Sequence, residues 1–293
     1  MKWAITGGGG QLARSLADLL DKQGFTYRSW GKHELDITNP DSPESIVDFA
    51  PKVLVNCAAW TNVDGAETNF EEALSVNRDG ARNMALAARK LDIPLIHIST
   101  DYVFSGSSEK PWTADDKTNP SSKYGESKLQ GEIAMQEAWL DKSLILRTAW
   151  LYGPYGKNFA KTIIKKALVS KDEVRVINDQ KGQPTTTSDL ASKILEIVNS
   201  RIASGIYHGT NSGEATWWEF ARELFALSGE SVERVTPVTS DQFPSPVKRP
   251  AYSVLDHSMW DKVGLSPMRD WRDALQEIYP AIRAEVEKEL SNG

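Results

Sequence analysis

The first ten residues constrain this chain more than any other stretch. An apolar strand, Lys2–Thr6, runs into Gly7-Gly8-Gly9-Gly10, and Leu12, Leu16, Leu19 and Leu20 then form an apolar stripe that ends before Gly24. Consecutive glycines allow a turn too tight for side chains, and leucines at intervals of three and four mark one face of a helix. A strand followed by a helix must cross over before the next strand can pair, so that strand returns parallel. The alternation then repeats. Residues 25–30, 53–57, 95–99 and 143–147 read as strands, and residues 42–49, 71–91 and 121–139 read as helices. Strands and helices alternating at this spacing predict an α/β fold, with a parallel sheet and helices on both faces.

After Trp150 the rhythm breaks. Tyr152-Gly153-Pro154-Tyr155-Gly156 is turn-rich, and helical patterns at 158–169, 188–199, 216–228 and 271–290 are separated by short strands at 173–178 and 206–209. Residues 236–250 carry four prolines and are expected to be extended or looped. The expected architecture is a Rossmann-type, doubly wound parallel sheet with a smaller, irregular C-terminal lobe. Residues 1–150 form the dinucleotide-binding domain, its sheet completed by residues 173–205, and residues 151–293 form the substrate-binding lobe.

The glycine turn carries the first chemical signal. Gly8-x-Gly10-x-x-Ala13 and Gly7-x-x-Gly10-x-x-Ala13 both match dinucleotide fingerprints. In these, glycines let backbone approach a pyrophosphate seated on a helix N-terminus, and a small residue lets helix and strand pack closely. The end of the second strand, Tyr27-Arg28-Ser29-Trp30-Gly31-Lys32, holds two bases and no acid, which favours NADPH over NADH. Arg28 is the candidate reader of the 2′-phosphate, although Glu34 lies close by. Ala58, Ala59, Trp60 and Thr61 leave the third strand with the small side chains that a passing dinucleotide needs.

The second signal is a hydroxyl at a strand end followed by a Tyr-x-x-x-Lys pair. Thr100 closes the fourth strand, and Tyr124 and Lys128 lie four apart on the next helix, so they share a face. A nearby ammonium favours phenolate and lowers a phenol pKa that starts near ~10. Such a phenol exchanges a proton with a carbonyl or alcohol.

Other functions are narrowed by composition. The net charge of −6, with no basic run, argues against a nucleic-acid partner. No apolar stretch reaches the ~20 residues of a membrane span. The single cysteine, Cys57, rules out an internal disulfide and fits a reducing cytoplasm. Of the ten tryptophans, some are candidates for a stacking site rather than the core. His33, His97, His208 and His257 lack ligand spacing and are read as structural, so no metal is expected.

At this point the residues resemble a family, the dTDP-4-dehydrorhamnose reductases, which are extended short-chain dehydrogenase/reductases. The likeness runs through 58–67, Ser99-Thr100-Asp101-Tyr102-Val103-Phe104, Tyr124-Gly125-Glu126-Ser127-Lys128, Arg147-Thr148-Ala149-Trp150, 177–185 and Arg249-Pro250. It implies reduction of a nucleotide sugar's C4 ketone by NADPH, with NADH as the lesser cofactor. Thr100, Tyr124 and Lys128 would be catalytic, with Tyr124 and Lys128 also touching the cofactor. Asp101 and Trp150 would hold the sugar. Gly10, Gln11, Leu12, Asp36, Ile37, Ala59, Trp60 and Thr61 would join the cofactor site. Arg249 is open between a diphosphate partner and an ion pair. Where some relatives bridge dimers through magnesium, this chain offers Ser15 and Ser188, with only Glu277 left as an acid. A monomer or weak homodimer is therefore expected, alone or joined to an epimerase module. Two alternatives share the fold. A dehydratase or epimerase would use Tyr124 and Lys128 but recycle a tightly held NAD, and related dehydratases carry a second carboxyl where Tyr102 stands; the regulatory subunit of methionine adenosyltransferase lacks the counterpart of Trp150.

Overall fold

The computed structural model describes residues 1–292. In the first half, β1 (Lys2–Thr6), α1 (Gln11–Lys22), β2 (Thr26–Trp30), α2 (Ser42–Phe49) and β3 (Val53–Asn56) alternate as the sequence predicts. The expected long helix is broken into three parts. α3 (Phe70–Leu74) passes through a π turn (Ser75–Asp79) into α4 (Gly80–Leu91). Next come β4 (Leu95–Thr100), α5 (Lys123–Ala138) and β5 (Ser143–Thr148). The Ser122 hydroxyl caps α5 by accepting from the Gly125 amide at 3.1 Å, satisfying an amide the helix leaves free.

The second half contributes β6 (Leu151–Tyr152), α6 (Phe159–Val169), β7 (Val174–Ile177), β8 (Lys181–Gly182), β9 (Thr185–Thr186), α7 (Thr187–Ser200) and β10 (Gly205–His208). It ends with β11 (Asn211–Ser212), β12 (Ala215–Thr216), α8 (Trp217–Leu227), β13 (Val235–Val238), α9 (Ser258–Lys262), β14 (Met268–Asp270) and α10 (Trp271–Ser291).

The main sheet has the order β10-β5-β4-β3-β1-β2, and every pairing in it is parallel. Chain direction across the sheet reverses between β1 and β3, so the loops after these strands part and leave a crevice at their carboxyl ends. Both sheet faces are packed, which is why β3 and most of β1 and β4 read as unbroken apolar runs. One face holds Leu16 and Leu20 of α1 and Leu190 and Ile194 of α7. The other holds Ile46, Met84 and Met135.

The sixth strand corrects a detail of the sequence reading. β7 stays out of the main sheet and pairs with β13 in the lobe. β10 completes the sheet by pairing with β5, so completion comes from residues 205–208 rather than from within 173–205. The physical reason is the preceding helix. α7 carries one apolar face, Leu190 to Ile197, that packs on α1's side of the sheet and delivers the chain beside β5. A separate core, with Phe220, Trp271 and Tyr279, holds the lobe together.

Candidate active site

Two loops meet at the crevice. Gly7 adopts φ +73°, and the Gly10 amide donates to the Gly7 carbonyl at 2.8 Å. A Cβ on Gly7 would lie 2.7 Å from the Ala58 nitrogen, so only glycine lets the β1 turn press against the β3 loop. Gly10 precedes α1 and offers no side-chain cap. The first-turn amides of a twelve-residue helix therefore remain available to an anion. A Cβ at Gly9 would meet nothing within 4 Å. This glycine cradle fits a pyrophosphate.

The remaining cofactor candidates divide by what their side chains already do. Gln11 accepts from Asn158 Nδ2 at 2.9 Å, which ties the glycine turn to the lobe. Leu12 and Ile37 are buried core residues, so only their backbone can face a nucleotide. Asp36 accepts from the amide and hydroxyl of Thr38, and the backbone bond holds its carboxyl below the ordinary value. Arg28 is exposed, with its guanidinium 4.9 Å from the Trp30 ring centroid. Ala58, Ala59 and Trp60 are half-buried and Thr61 is exposed.

The sequence reading missed what holds that loop in place. Asn77, in the π turn, accepts from the Trp60 amide at 2.9 Å and donates to the Trp60 carbonyl at 3.2 Å. It also donates to Ser127 Oγ at 2.8 Å, and Ser127 donates to the Tyr124 carbonyl at 2.7 Å. One buried amide thus links the cofactor loop to the tyrosine helix. The widened turn is what aims it inward. Gly131 makes the approach possible, since a Cβ there would lie 2.1 Å from the Asn77 carbonyl oxygen.

Thr100, Asp101 and Tyr124 come together at the end of β4. The Thr100 hydroxyl donates to Asp101 Oδ1 at 2.9 Å and accepts from the Tyr102 amide at 3.2 Å. Tyr124 stands close enough for the Thr100 side chain to oppose the rise in its pKa. Tyr102 packs edge-on against Tyr124, with centroids 5.5 Å apart. Asp101 is buried, and its Oδ2 has no partner among the described residues. Burial pushes its pKa up to about 6, against the pull of Ser253, Thr100 and nearby amides.

The expected lysine-acidified phenol is not what the chain alone provides. Burial raises the Tyr124 pKa above its ordinary value, and Asp101 and Tyr102 raise it further against the opposing Thr100 contact. Lys128 donates to the Ile98 carbonyl at 2.6 Å. Burial lowers its pKa to about 8, opposed by Glu132 and Cys57. Tyr124 therefore enters as the protonated acid. Behind it lies a buried ion pair that the sequence reading also missed. Arg147 donates to Glu132 from Nε at 3.0 Å and from Nη2 at 2.7 Å, and both side chains are 2% exposed. The same carboxylate accepts from Ser99 Oγ, the neighbour of Thr100.

Trp150 leaves β5 at the same sheet edge, because Thr148 pairs in register with Thr100. Its φ of +47° is strained for a bulky side chain, costing about 1–3 kcal/mol. Arg249 is engaged in an ion pair, with Nη2 3.2 Å from both Asp64 oxygens. Glu277 is likewise paired, with Arg269. Cys57 is half-buried at the edge of the core, and burial pushes its thiol up to about 12. His97 and His208 are buried in hydrogen-bonded positions, and burial lowers the pKa of both.

Sheet order, glycine cradle and tyrosine helix define a nucleotide-dependent, Rossmann-type reductase of the short-chain dehydrogenase/reductase class. The chain belongs to the family described as RmlD substrate binding domain, whose model matches residues 1–284. It is 44% identical over 286 residues to a dTDP-4-dehydrorhamnose reductase from Streptomyces griseus, covering 96% of this chain and 94% of the relative. It is 42% identical to a dTDP-4-keto-6-deoxy-D-glucose reductase from Streptomyces niveus, covering 97% and 98%. Among solved structures, it resembles a dTDP-4-dehydrorhamnose reductase from Bacillus anthracis in complex with NADP. That match has TM-score 0.91 and 35% identity and covers 95% of this chain and 98% of the other.

Proposed function

We propose that this protein reduces the C4 ketone of dTDP-4-dehydro-L-rhamnose to give dTDP-L-rhamnose, with NADPH as reductant. The observation that carries this reading is the meeting of Thr100 and the protonated Tyr124 at the crevice edge, above a glycine cradle suited to a dinucleotide. Residues 1–150, with β10 and α7, hold the cofactor, and residues 151–293 supply the lobe that covers the sugar. Gly7, Gly10 and the first amides of α1 cradle the pyrophosphate. Ala58 to Thr61 line its path, and Arg28 faces the 2′-phosphate.

The bound dihydronicotinamide supplies the hydride. The chain's own groups manage the oxygen. Tyr124 donates its phenolic proton as negative charge develops on the ketone oxygen, and Thr100, turning its one hydroxyl proton away from Asp101, gives that oxygen a second hydrogen bond. The Lys128 ammonium, one helical turn along from Tyr124 on α5, would lower the cost of the phenolate left behind. Asp101 and Trp150 orient the sugar. The expected setting is the cytoplasm, with the chain as a monomer or weak homodimer.

A second reading differs only in the sugar, because one relative's name carries a 4-keto-6-deoxy-D-glucose substrate. NADPH and NADH oxidation against a panel of 4-keto nucleotide sugars separates the two. Stoichiometric NADPH loss with one preferred sugar is the expected result. If no keto sugar accelerates oxidation, or if NAD copurifies and is recycled rather than consumed, reduction is the wrong chemistry.

A further inference from the structure

The strained turn at Trp150 is held by two residues that the catalytic chemistry does not use. The Trp217 indole lies face to face with Trp150, with ring centroids 3.5 Å apart and planes 8° from parallel. On another side, a Cβ at Gly182 would fall 2.6 Å from Trp150 Cε2 and 2.8 Å from its Nε1. The indole therefore rests on the Gly182 backbone, where any side chain would displace it. The Thr185 amide donates to the Trp150 carbonyl at 3.2 Å and fixes the turn itself.

The seat is itself rigid. β8 and β12 pair antiparallel with Gly182 opposite Ala215, so the strand that supplies Gly182 also directs the chain into Trp217. Trp217 opens α8 behind a complete capping box, with the Thr216 amide donating to Glu219 at 2.7 Å and the Glu219 amide to the Thr216 hydroxyl at 3.1 Å. Phe159 packs against its ring at 4.6 Å. Neither Trp150 nor Trp217 is fully buried. Trp217 packs on the lobe core from one side, and the pair keeps a part open to solvent.

We propose that Trp217 and Gly182 form a preorganised seat for Trp150, and that Trp217 is a positioning residue that sets affinity for the sugar ring of the nucleotide sugar. The inference rests on the reading of Trp150 as a sugar contact. Trp217 covers a face of the Trp150 indole and Gly182 supports it on another side, so the part left exposed is what meets the sugar. A ring already fixed in place loses no side-chain freedom when the sugar arrives. The same geometry explains the glycine of the Lys181-Gly182-Gln183 stretch, which must stay bare for the indole to lie on it.

The test uses the whole enzyme with dTDP-4-dehydro-L-rhamnose. Trp217→Ala should raise the sugar KM about tenfold, the equivalent of about 1.4 kcal/mol. The NADPH KM should stay unchanged, and kcat should change far less than the sugar KM. Trp217→Phe keeps a flat ring and should restore most of the affinity. Gly182→Ala should mimic Trp217→Ala. Circular dichroism adds an independent readout: the exciton couplet of two stacked indoles should be present in the parent, shift on sugar binding, and vanish in Trp217→Phe. If Trp150→Ala raises the sugar KM while Trp217→Ala does not, the seat is refuted and the role of Trp150 stands. If Trp150→Ala leaves the sugar KM unchanged, the reading of Trp150 fails and the seat with it. A Trp217→Phe enzyme that binds NADPH normally but has lost sugar affinity as fully as the alanine variant also refutes stacking as the cause.

Discussion

Replacing Asp101 with asparagine should alter the pH dependence of stability in a direction set by burial. Asp101 is 2% exposed, its Oδ1 accepts from Thr100 at 2.9 Å, and its Oδ2 has no partner among the described residues. Its pKa rises from 3.8 to about 6 on folding, chiefly because burial disfavours the carboxylate. A carboxyl whose folded pKa lies above its unfolded value contributes stability that is fully present below the unfolded value. That stability is lost as pH rises through the folded one. The loss therefore falls between about pH 4 and pH 6. At about 1.4 kcal/mol per pH step, the rise corresponds to roughly 3 kcal/mol as an order of magnitude. Asparagine does not ionise, so Asp101→Asn should be spared that loss. Any constant cost of the new amide cancels when each protein is compared with itself at two pH values. The assay is thermal unfolding of parent and variant at pH 4.5 and pH 7.5. Part of the loss is already incurred at pH 4.5, so roughly 2 kcal/mol falls between the two pH values, and relative to the parent the variant should gain at the higher pH by about 4 °C, taking about 2 °C per kcal/mol for a chain of this size. A difference between the two proteins that is the same at both pH values would refute the burial argument.

Tyr124→Phe removes the proton donor and should cut kcat by about 10²–10⁴-fold, with NADPH affinity, read by nucleotide fluorescence, largely retained; unchanged turnover would dismiss Tyr124 as the acid. Arg28→Ala should weaken NADPH about tenfold more than NADH if the guanidinium faces the 2′-phosphate, and equal losses in titration would assign Arg28 to the surface. Glu132→Leu strands the Arg147 guanidinium in the core and should cost about 3–5 kcal/mol. Glu132→Leu combined with Arg147→Met should recover most of that loss by chemical denaturation. A stable single variant would mean the pair is not essential to the β4–β5–α5 junction.

Much of the site was legible because its parts are local. Tyr124 and Lys128 are one helical turn apart, and Thr100 ends an apolar strand. The glycine turn announces itself by composition. What was missed lies in pairings across the chain. Asn77 gave no sequence signal, because the π turn that aims it sits inside an unbroken helical pattern. Glu132 and Arg147 left a fainter trace, namely an arginine within a strand that is otherwise apolar and an acid four residues beyond Lys128. Trp217 read only as the start of a helix. Gly182 was quoted in a motif with no physical reason until the Trp150 ring was found resting on it.

By itself the sequence determined the crossover rhythm, the turn that only glycines can make, and the face shared by a tyrosine and a lysine. Those follow from backbone geometry over a few neighbouring residues. Only the tertiary structure decided that residues 205–208 complete the sheet, that Arg249 pairs with Asp64, and that Trp217 lies on Trp150. It also reversed the expected acidity of Tyr124. Desolvation belongs to the packed surroundings of a group, and no spacing along a chain reports how much water those surroundings exclude.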